Sequence, residues 1–443
     1  MKRLPTILLG ACALLALPKA TVATAAPPAT SPLDRDTRIA WWRDARFGLF
    51  IHWGIMSIPG KDCFVMDQER IPVAEYEKLV ARFNPVEWSP EAVVRAAKQA
   101  GQRYLVFVAK HHDGFCMWDS RATPYNVMHS PFRRDIVRGL ADECHKQGIV
   151  FCFYYSILDW HHPDAKGDRW PKYVDYMKAQ LTELLTNYGP IGAVWFDGEW
   201  APEWTDAQGR DLAAFVWALQ PKTLINNRVG RIRQEKDPVL KAQCFAADFA
   251  TPEQEIPPNG LPGVDWESCM TMNNSWSWNS SDTSYKSERA CIELLIDTAS
   301  KGGNLLLNVG PQPDGRIADP QQQRLAALHK WMETNHESIH GTVASPFPQS
   351  FPWGRCTAKQ VSPTTHRLYL HVFDRPAAGE ISVPTPKTLT QLAYALSDNQ
   401  RTPLKLTAND KQTTVHLPQR LATDHDFVIV LETQRQPNPP NSK

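Results

Sequence analysis

Asp197 closes an apolar run, Ala193-Val194-Trp195-Phe196, and Gly198, Glu199 and Trp200 follow it. Two carboxylates on either side of a sugar linkage are the minimal equipment for glycoside hydrolysis. The nucleophile must be held rigidly, which the end of a buried strand provides, so Asp197 suits that role. The proton donor needs a raised proton affinity and often sits on a loop closing over the leaving group. Glu199, Glu253, Glu255 and Glu267 are candidates, and spacing from Asp197 does not choose among them.

Other apolar runs also end in polar side chains: His52-Trp53-Gly54, His111-His112-Asp113, Tyr154-Tyr155-Ser156 and Asn226-Asn227-Arg228, with 248–255 and 275–279 further on. A core alone does not require this. A lone histidine is usually a satisfied core residue, but three at two successive strand ends favour hydrogen bonding to a polar ligand such as a sugar. A zinc site would need three ligands and an open position. Alternation along a strand sends His111 and His112 to opposite sides, so no metal is expected, and no organic cofactor. Arg228 reads as aimed into a pocket, not as a surface ion-pair partner.

The elements that must position these residues alternate. Strand-like runs at 46–54, 103–110, 149–156, 191–198, 223–227, 268–273 and 304–310 are separated by helical patterns. The helices are marked by Ser89 with Pro90, by the 135–148 periodicity, by residues 170–188, by a Thr205/Gln208 capping box, by residues 286–301, and by Asp319-Pro320. The strands are continuously apolar, as in parallel sheets buried on both faces. Repeated strand–helix units over about 300 residues predict an α/β fold, a (β/α)8-like TIM barrel. An open doubly wound sheet is the alternative, but no glycine-rich phosphate loop follows the first strand. After about residue 345 short strands (366–374, 380–384, 413–418, 426–432) follow one another without helices, which predicts a C-terminal antiparallel β-sandwich. The predicted domains are a leader at 1–25, a barrel at 26–342 and a β-sandwich with a disordered tail at 343–443.

The leader has Lys2 and Arg3, an apolar run from Ile7 to Leu17 too short to span a bilayer, and Ala23-Thr24-Ala25 as a cleavage site. This predicts export to the periplasm or medium, with lipid anchoring at Cys12 the less favoured reading. Without the three basic residues of the leader, 45 Lys+Arg face 47 Asp+Glu, about −2. Nothing in that balance marks a nucleic-acid or anionic-membrane partner, and no later segment is apolar enough to span a membrane. Among the nine cysteines, Cys116, Cys152, Cys244, Cys269 and Cys291 are scattered through mostly apolar surroundings and read as buried thiols. The chain carries 16 Trp, 11 Tyr and 17 Phe, an aromatic content that suits stacking on sugars as well as core packing.

The ordered set "GLFIHWG", "KHHDGF", "YYS…DW", "VWFDG", "NNR", "DFATPEQ", "WESCMTMNNSWSWN" and "NLLLNVGPQPDG" resembles the α-L-fucosidases of glycoside hydrolase family 29 from about residue 40 to 340. The resemblance implies a retaining mechanism with Asp197 as nucleophile and Glu253 as acid/base. It implies a fucose pocket of His52, His111, His112, Trp195 and Arg228, with Trp276 against the C5 methyl. Of the tyrosine pair, Tyr155 is assigned to that pocket and Tyr154 to the opposite face. The implied substrate is a fucosylated oligosaccharide or glycoprotein glycan, α-1,3/1,4-linked by the style of "TPEQ…WE.CMT". The connection 230–247 is longer than usual, and "SWSWN" departs from the commoner "SWGYN". The rivals are a retaining glycosidase for another sugar on the same barrel, and a catalytically inactive fucose-binding protein. The oligomeric state is not readable from the sequence.

Overall fold

The computed structural model describes residues 33–231, 247–418 and 425–434. The leader, Cys12, Cys244 and positions 232–246 lie outside them. Among the described residues seven parallel strands form one sheet: β1 (Phe47–Ile51), β2 (Tyr104–Lys110), β3 (Val150–Ser156), β4 (Ala193–Asp197), β5 (Leu224–Ile225), β6 (Glu267–Thr271) and β7 (Asn304–Val309). Their order is β5-β4-β3-β2-β1-β7-β6. Every residue of β1, β2, β4, β6 and β7 is buried, as continuously apolar parallel strands should be.

The sheet's two edges, β5 and β6, meet through an extended stave at 248–250. Asp248 N donates to Ile225 O (2.8 Å) and Asn227 N to Phe249 O (2.9 Å) on one side. Ala250 N donates to Asp265 O and Glu267 N to Ala250 O, both 2.9 Å, on the other. The bridges Asn226–Phe249 and Ala250–Trp266 are both parallel. This stave completes the ring as its eighth member.

Helices cover the outside: α1 (Arg35–Ala45), α2 (Pro90–Gln99), α3 (Ile136–Gln147), α4 (Trp170–Asn187), α5 (Asp206–Leu219), α6 (Glu288–Ser300) and α7 (Asp319–Asn335). Their starts carry the expected caps. Ser89 accepts from Ala92 N, Asp135 from Arg138 N, and the Thr205/Gln208 box is complete. The sequence reading omitted α1. Its buried Arg38 forms a two-pronged ion pair with Asp248 (2.7 and 3.0 Å), and Trp42 stacks on Phe249 (4.8 Å). The helix therefore tethers the start of the eighth stave.

The C-terminal strands form two antiparallel sheets, β10-β13-β12 and β11-β14-β9-β8. Here β8 is Gly354–Ser362, β9 Thr365–Asp374, β10 Glu380–Val383, β11 Thr390–Ala395, β12 Leu406–Ala408, β13 Thr413–His416 and β14 His425–Thr433. Leu368, Leu370, Ile381, Val383, Val415 and Ile429 share one buried cluster. β8, β11 and β12 were not anticipated. The sandwich is fastened to the barrel by Arg289–Asp374 (2.8 Å), Arg355–Asp297 (2.5 Å) and a bond from Trp331 Nε1 to Asp426 O (2.7 Å).

Candidate active site

The strand ends and the loops after them open into one cavity of about 340 Å3, lined by Phe50, His52, Phe64, His111, Tyr154, Trp195, Asp197, Trp200, Arg228, Glu253, Cys269 and Trp276. A cavity of that size holds a sugar-sized ligand. It sits at the C-terminal mouth of the barrel, where this fold places its chemistry.

Asp197 is the last residue of β4 and is 7% exposed. Its Oδ1 accepts from Arg228 Nη1 (3.0 Å) and its Oδ2 from the Tyr154 hydroxyl (3.0 Å). His112 Nε2 stands 3.7 Å from Oδ2. The chain turns sharply at the next residue. Gly198 has φ +81°, and a Cβ there would lie 2.5 Å from Leu158 N, so only glycine fits.

Arg228 is buried and uses both ends of its fork. Nη2 donates to Glu253 Oε2 (2.9 Å) while Nη1 holds Asp197, and Nε donates to Thr251 Oγ1 (2.9 Å). Burial alone would lower its proton affinity, but Asp197 and Glu253 outweigh that and hold it well above the usual guanidinium range. Its guanidinium also lies over the Trp195 ring (4.6 Å). Glu253 is held by its own backbone neighbourhood. Gln254 N donates to Cys269 O (3.0 Å), Cys269 N donates to Pro252 O (3.1 Å), and the Gln254 side chain bonds Thr271. The two candidate carboxylates thus reach one guanidinium although 56 positions separate them in the chain.

The histidine tautomers follow from their partners. Asn308 spends its amide N–H on Trp276 O (2.6 Å), which turns its oxygen to His52 Nδ1 (2.7 Å). His52 therefore carries its proton on Nδ1 and leaves Nε2 as an acceptor. Burial lowers His52 to about 3, against the Asn308 bond. Burial, with His112 and His52 nearby, lowers His111 as well. His112 Nδ1 lies 2.6 Å from Ser156 Oγ, whose proton goes to Leu158 O, so His112 donates there. Trp276 packs 4.9 Å from His52, at the wall of the cavity.

Two sequence expectations are corrected. His111 and His112 do not diverge. The register shifts between Val108 and Lys110, the strand ends at Lys110, and the two rings pack 4.2 Å apart in the following turn. Tyr155 is not in the cavity. Its hydroxyl donates to Gln180 of α4 (2.6 Å) in the layer between barrel and helices, and Tyr154 takes the inward place. Alternation separated the pair correctly, but the inward phase was set one residue off. Inward-facing Trp195 and Asp197 on β4 stand directly opposite Tyr154 and Ser156 of β3, and that pairing fixes the phase.

The competing carboxylates fall elsewhere. Glu199 is buried, 1% exposed, and does not line the cavity. Glu255 likewise does not line it. Glu267 points into the barrel beneath Trp195. It accepts from Trp195 Nε1 (3.0 Å) and from the Tyr104 hydroxyl. Burial raises it to about 7, against Tyr104, Trp195 and a weaker contribution from Trp42. Residues the sequence reading did not place in the site are Tyr154, Phe64, Phe50, Cys269, Thr251 and Asn308. Thr251 lies inside the quoted "DFATPEQ", and Asn308 sits on an apolar strand where its polarity was the available signal. All seven free cysteines among the described residues are buried.

The α-L-fucosidase family profile matches residues 14–337. An α-L-fucosidase from Branchiostoma floridae is 29% identical over 427 residues, 87% of this chain and 91% of that protein. Among solved structures, α-L-fucosidase isoenzyme 1 from Paenibacillus thiaminolyticus is 35% identical with a TM-score of 0.80, over 90% of this chain and all of that one. A Bacteroides thetaiotaomicron family 29 α-L-fucosidase, trapped as a covalent intermediate with 2-fluoro-fucosyl fluoride, is 25% identical with a TM-score of 0.81, over 90% and 97% of the two chains.

Proposed function

The chain belongs to glycoside hydrolase family 29, the α-L-fucosidases, and from that premise we propose that Asp197 and Glu253 cleave terminal α-L-fucose from glycans by double displacement with retention. The observation that carries this reading is the shared grip of Arg228 on both carboxylates (3.0 and 2.9 Å) at the cavity. Carboxyl groups about 5–5.5 Å apart suit a retaining pair, whereas about 6.5–9.5 Å suits an inverting one. Bonds to Nη1 and Nη2 of one guanidinium hold the two carboxylates close enough to flank a single sugar linkage. The neighbour trapped as a covalent intermediate supports the same mechanism.

In the first step Asp197 attacks the anomeric carbon while Glu253, carrying the proton, transfers it to the departing oxygen. The ester removes the negative charge of Asp197. Having given up its proton to the departing oxygen, Glu253 is left as a carboxylate beside the ester. It then takes a proton from the incoming water, which displaces Asp197. Neutral His52 and His111 serve as hydrogen-bonding partners for sugar hydroxyls, with His52 Nε2 accepting. Trp276 supplies the apolar wall for the methyl group that replaces the hydroxymethyl of other hexoses.

Digestion of a panel of α-1,2-, α-1,3- and α-1,4-fucosylated oligosaccharides tests this reading. Release of free fucose from the α-1,3 and α-1,4 members is expected, and release of a different sugar, or none, refutes it. The Lys2-Arg3 start, short apolar run and Ala23-Thr24-Ala25 site support export. N-terminal sequencing of the mature protein should then begin at Ala26.

A further inference from the structure

Among the described residues, Glu267 is a fully buried carboxylate that the proposed chemistry does not use. It lies on β6, 1% exposed, beneath the cavity floor. Its oxygens accept from the Trp195 indole N–H (3.0 Å) and the Tyr104 hydroxyl, with the Trp42 indole also close enough to favour the charged form. Tyr104 is anchored in turn. Asn304 Nδ2 approaches its hydroxyl (3.5 Å), and its ring crosses Gly48, where a Cβ would come within 2.4 Å of it. Gly48 of "RFGLF" therefore leaves the space through which Tyr104 reaches Glu267.

Trp195 connects this buried cluster to the chemistry. One face of its indole lies under the Arg228 guanidinium (4.6 Å), and its ring stacks on Tyr154 at 5.7 Å and 20°. Arg228 and Tyr154 donate to Asp197, one to each oxygen. Both therefore rest on one side chain whose only polar atom is bound by Glu267. A buried indole N–H needs a partner, and a carboxylate is the strongest acceptor available to it.

We propose that Glu267 is a positioning residue. By fixing the Trp195 indole from below, it sets the orientation of Arg228 and Tyr154, and through them the aim of Asp197. This rests on the reading of Asp197 as nucleophile, and it gives Glu267 a role distinct from proton transfer to substrate.

A double-mutant cycle tests it: Glu267→Gln, Trp195→Phe and the double variant, each assayed for kcat and KM on an activated aryl α-L-fucoside and for thermal midpoint. Glu267→Gln replaces the carboxylate by a weaker acceptor of the same shape, and Trp195→Phe deletes the donor. The expected result is a loss of about tenfold in kcat for each single variant. The double variant should be no worse than the poorer single by more than about twofold, because both break one link. Multiplicative losses overturn the proposal, as does Glu267→Gln with unchanged kcat and only a lowered thermal midpoint. An inactive Glu267→Gln beside a fully active Trp195→Phe also overturns it and points to direct proton transfer. If Glu267→Gln does not fold, Tyr104→Phe with Trp195→Phe completes the cycle on the other oxygen, with the same non-multiplicative outcome expected. Wild-type turnover of the fucoside, measured alongside, separates failure of this proposal from failure of the fucosidase reading.

Discussion

Replacing Tyr154 by phenylalanine removes one atom from the site and discriminates sharply between the two members of the tyrosine pair. The Tyr154 hydroxyl donates to Asp197 Oδ2 at 3.0 Å in a buried setting. A hydrogen bond to a charged acceptor contributes roughly 1.5–3 kcal/mol. In the proposed double displacement the charge of Asp197 is consumed in the first step and regained in the second, so the bond weakens on the way in and strengthens on the way out. Its loss therefore falls chiefly on release of the fucosyl-enzyme. At about 1.4 kcal/mol per factor of ten, kcat on an activated aryl fucoside, where release limits the rate, should drop about tenfold to a hundredfold, while a pre-steady-state burst persists. Tyr155→Phe removes the bond to Gln180 (2.6 Å). It should cost about 1 kcal/mol of stability and leave kcat within about twofold, since its ring lies outside the cavity. Stopped-flow release of the aryl group and thermal unfolding of both variants settle the matter. If Tyr155→Phe loses more turnover than Tyr154→Phe, the inward phase of β3 and the role of its donor are both wrong.

Asp197→Ala should abolish turnover and keep the unfolding midpoint within a few degrees, whereas Glu253→Ala should be partly rescued by azide with an activated leaving group; rescue of Glu199→Ala in its place would reverse the acid/base assignment. Gly198→Ala forces a positive φ and a 2.5 Å approach to Leu158 N, so it should cost about 2 kcal/mol or more and lower kcat by displacing Asp197, read from denaturant unfolding and turnover together. Stability should also depend on pH in two stages. Burial holds His52, His340 and His371 at about 3, so the unfolded chain binds more protons below about pH 6.5 and stability falls as pH drops toward 3. Burial holds Glu267 at about 7 and Asp113 at about 6, so for these the folded chain binds more protons and acidification from about pH 7 to 4 stabilises it. His111 is lowered by burial as well, so four histidines outnumber the two carboxyls: the midpoint falls as pH drops below about 6, and falls more steeply below about 4.5 once the carboxyls no longer oppose it; a midpoint that rises on acidification from about pH 6 to 4 would contradict this balance.

Much of the architecture was legible because parallel strands buried on both faces are long, continuous and apolar, and because helix starts such as Ser89, Asp135 and Thr205 carry their caps in the sequence. The site was legible where chemistry and strand ends coincide, at Asp197, His52 and Arg228. It failed where phase matters. One shift of register at Val108/Lys110 brought His111 and His112 together, and alternation alone could not say which of Tyr154 and Tyr155 turns inward. The 248–250 stave is too short to show any periodicity, and it is recognised only through bonds to partners on both sides. Helix α1 hides because it buries Arg38, a residue type expected at the surface, against Asp248. The strands β8 and β11 are half polar and β12 spans three residues, so composition reads them as loop.

The eighth stave has a further consequence for how this chain can change. Glu253 is placed without reference to the length of the stretch before it. Arg228 is fixed by the end of β5, and residues 248–254 are stitched to β5 on one side and β6 on the other. Additions or deletions between Arg231 and Ala247 should therefore leave the placement of Glu253 untouched, much as a hinge pin isolates a door from the thickness of its frame. The pairing of Asp197 and Glu253 on Arg228 is thus set by backbone bonds at both edges of the ring, not by the length of chain that joins them.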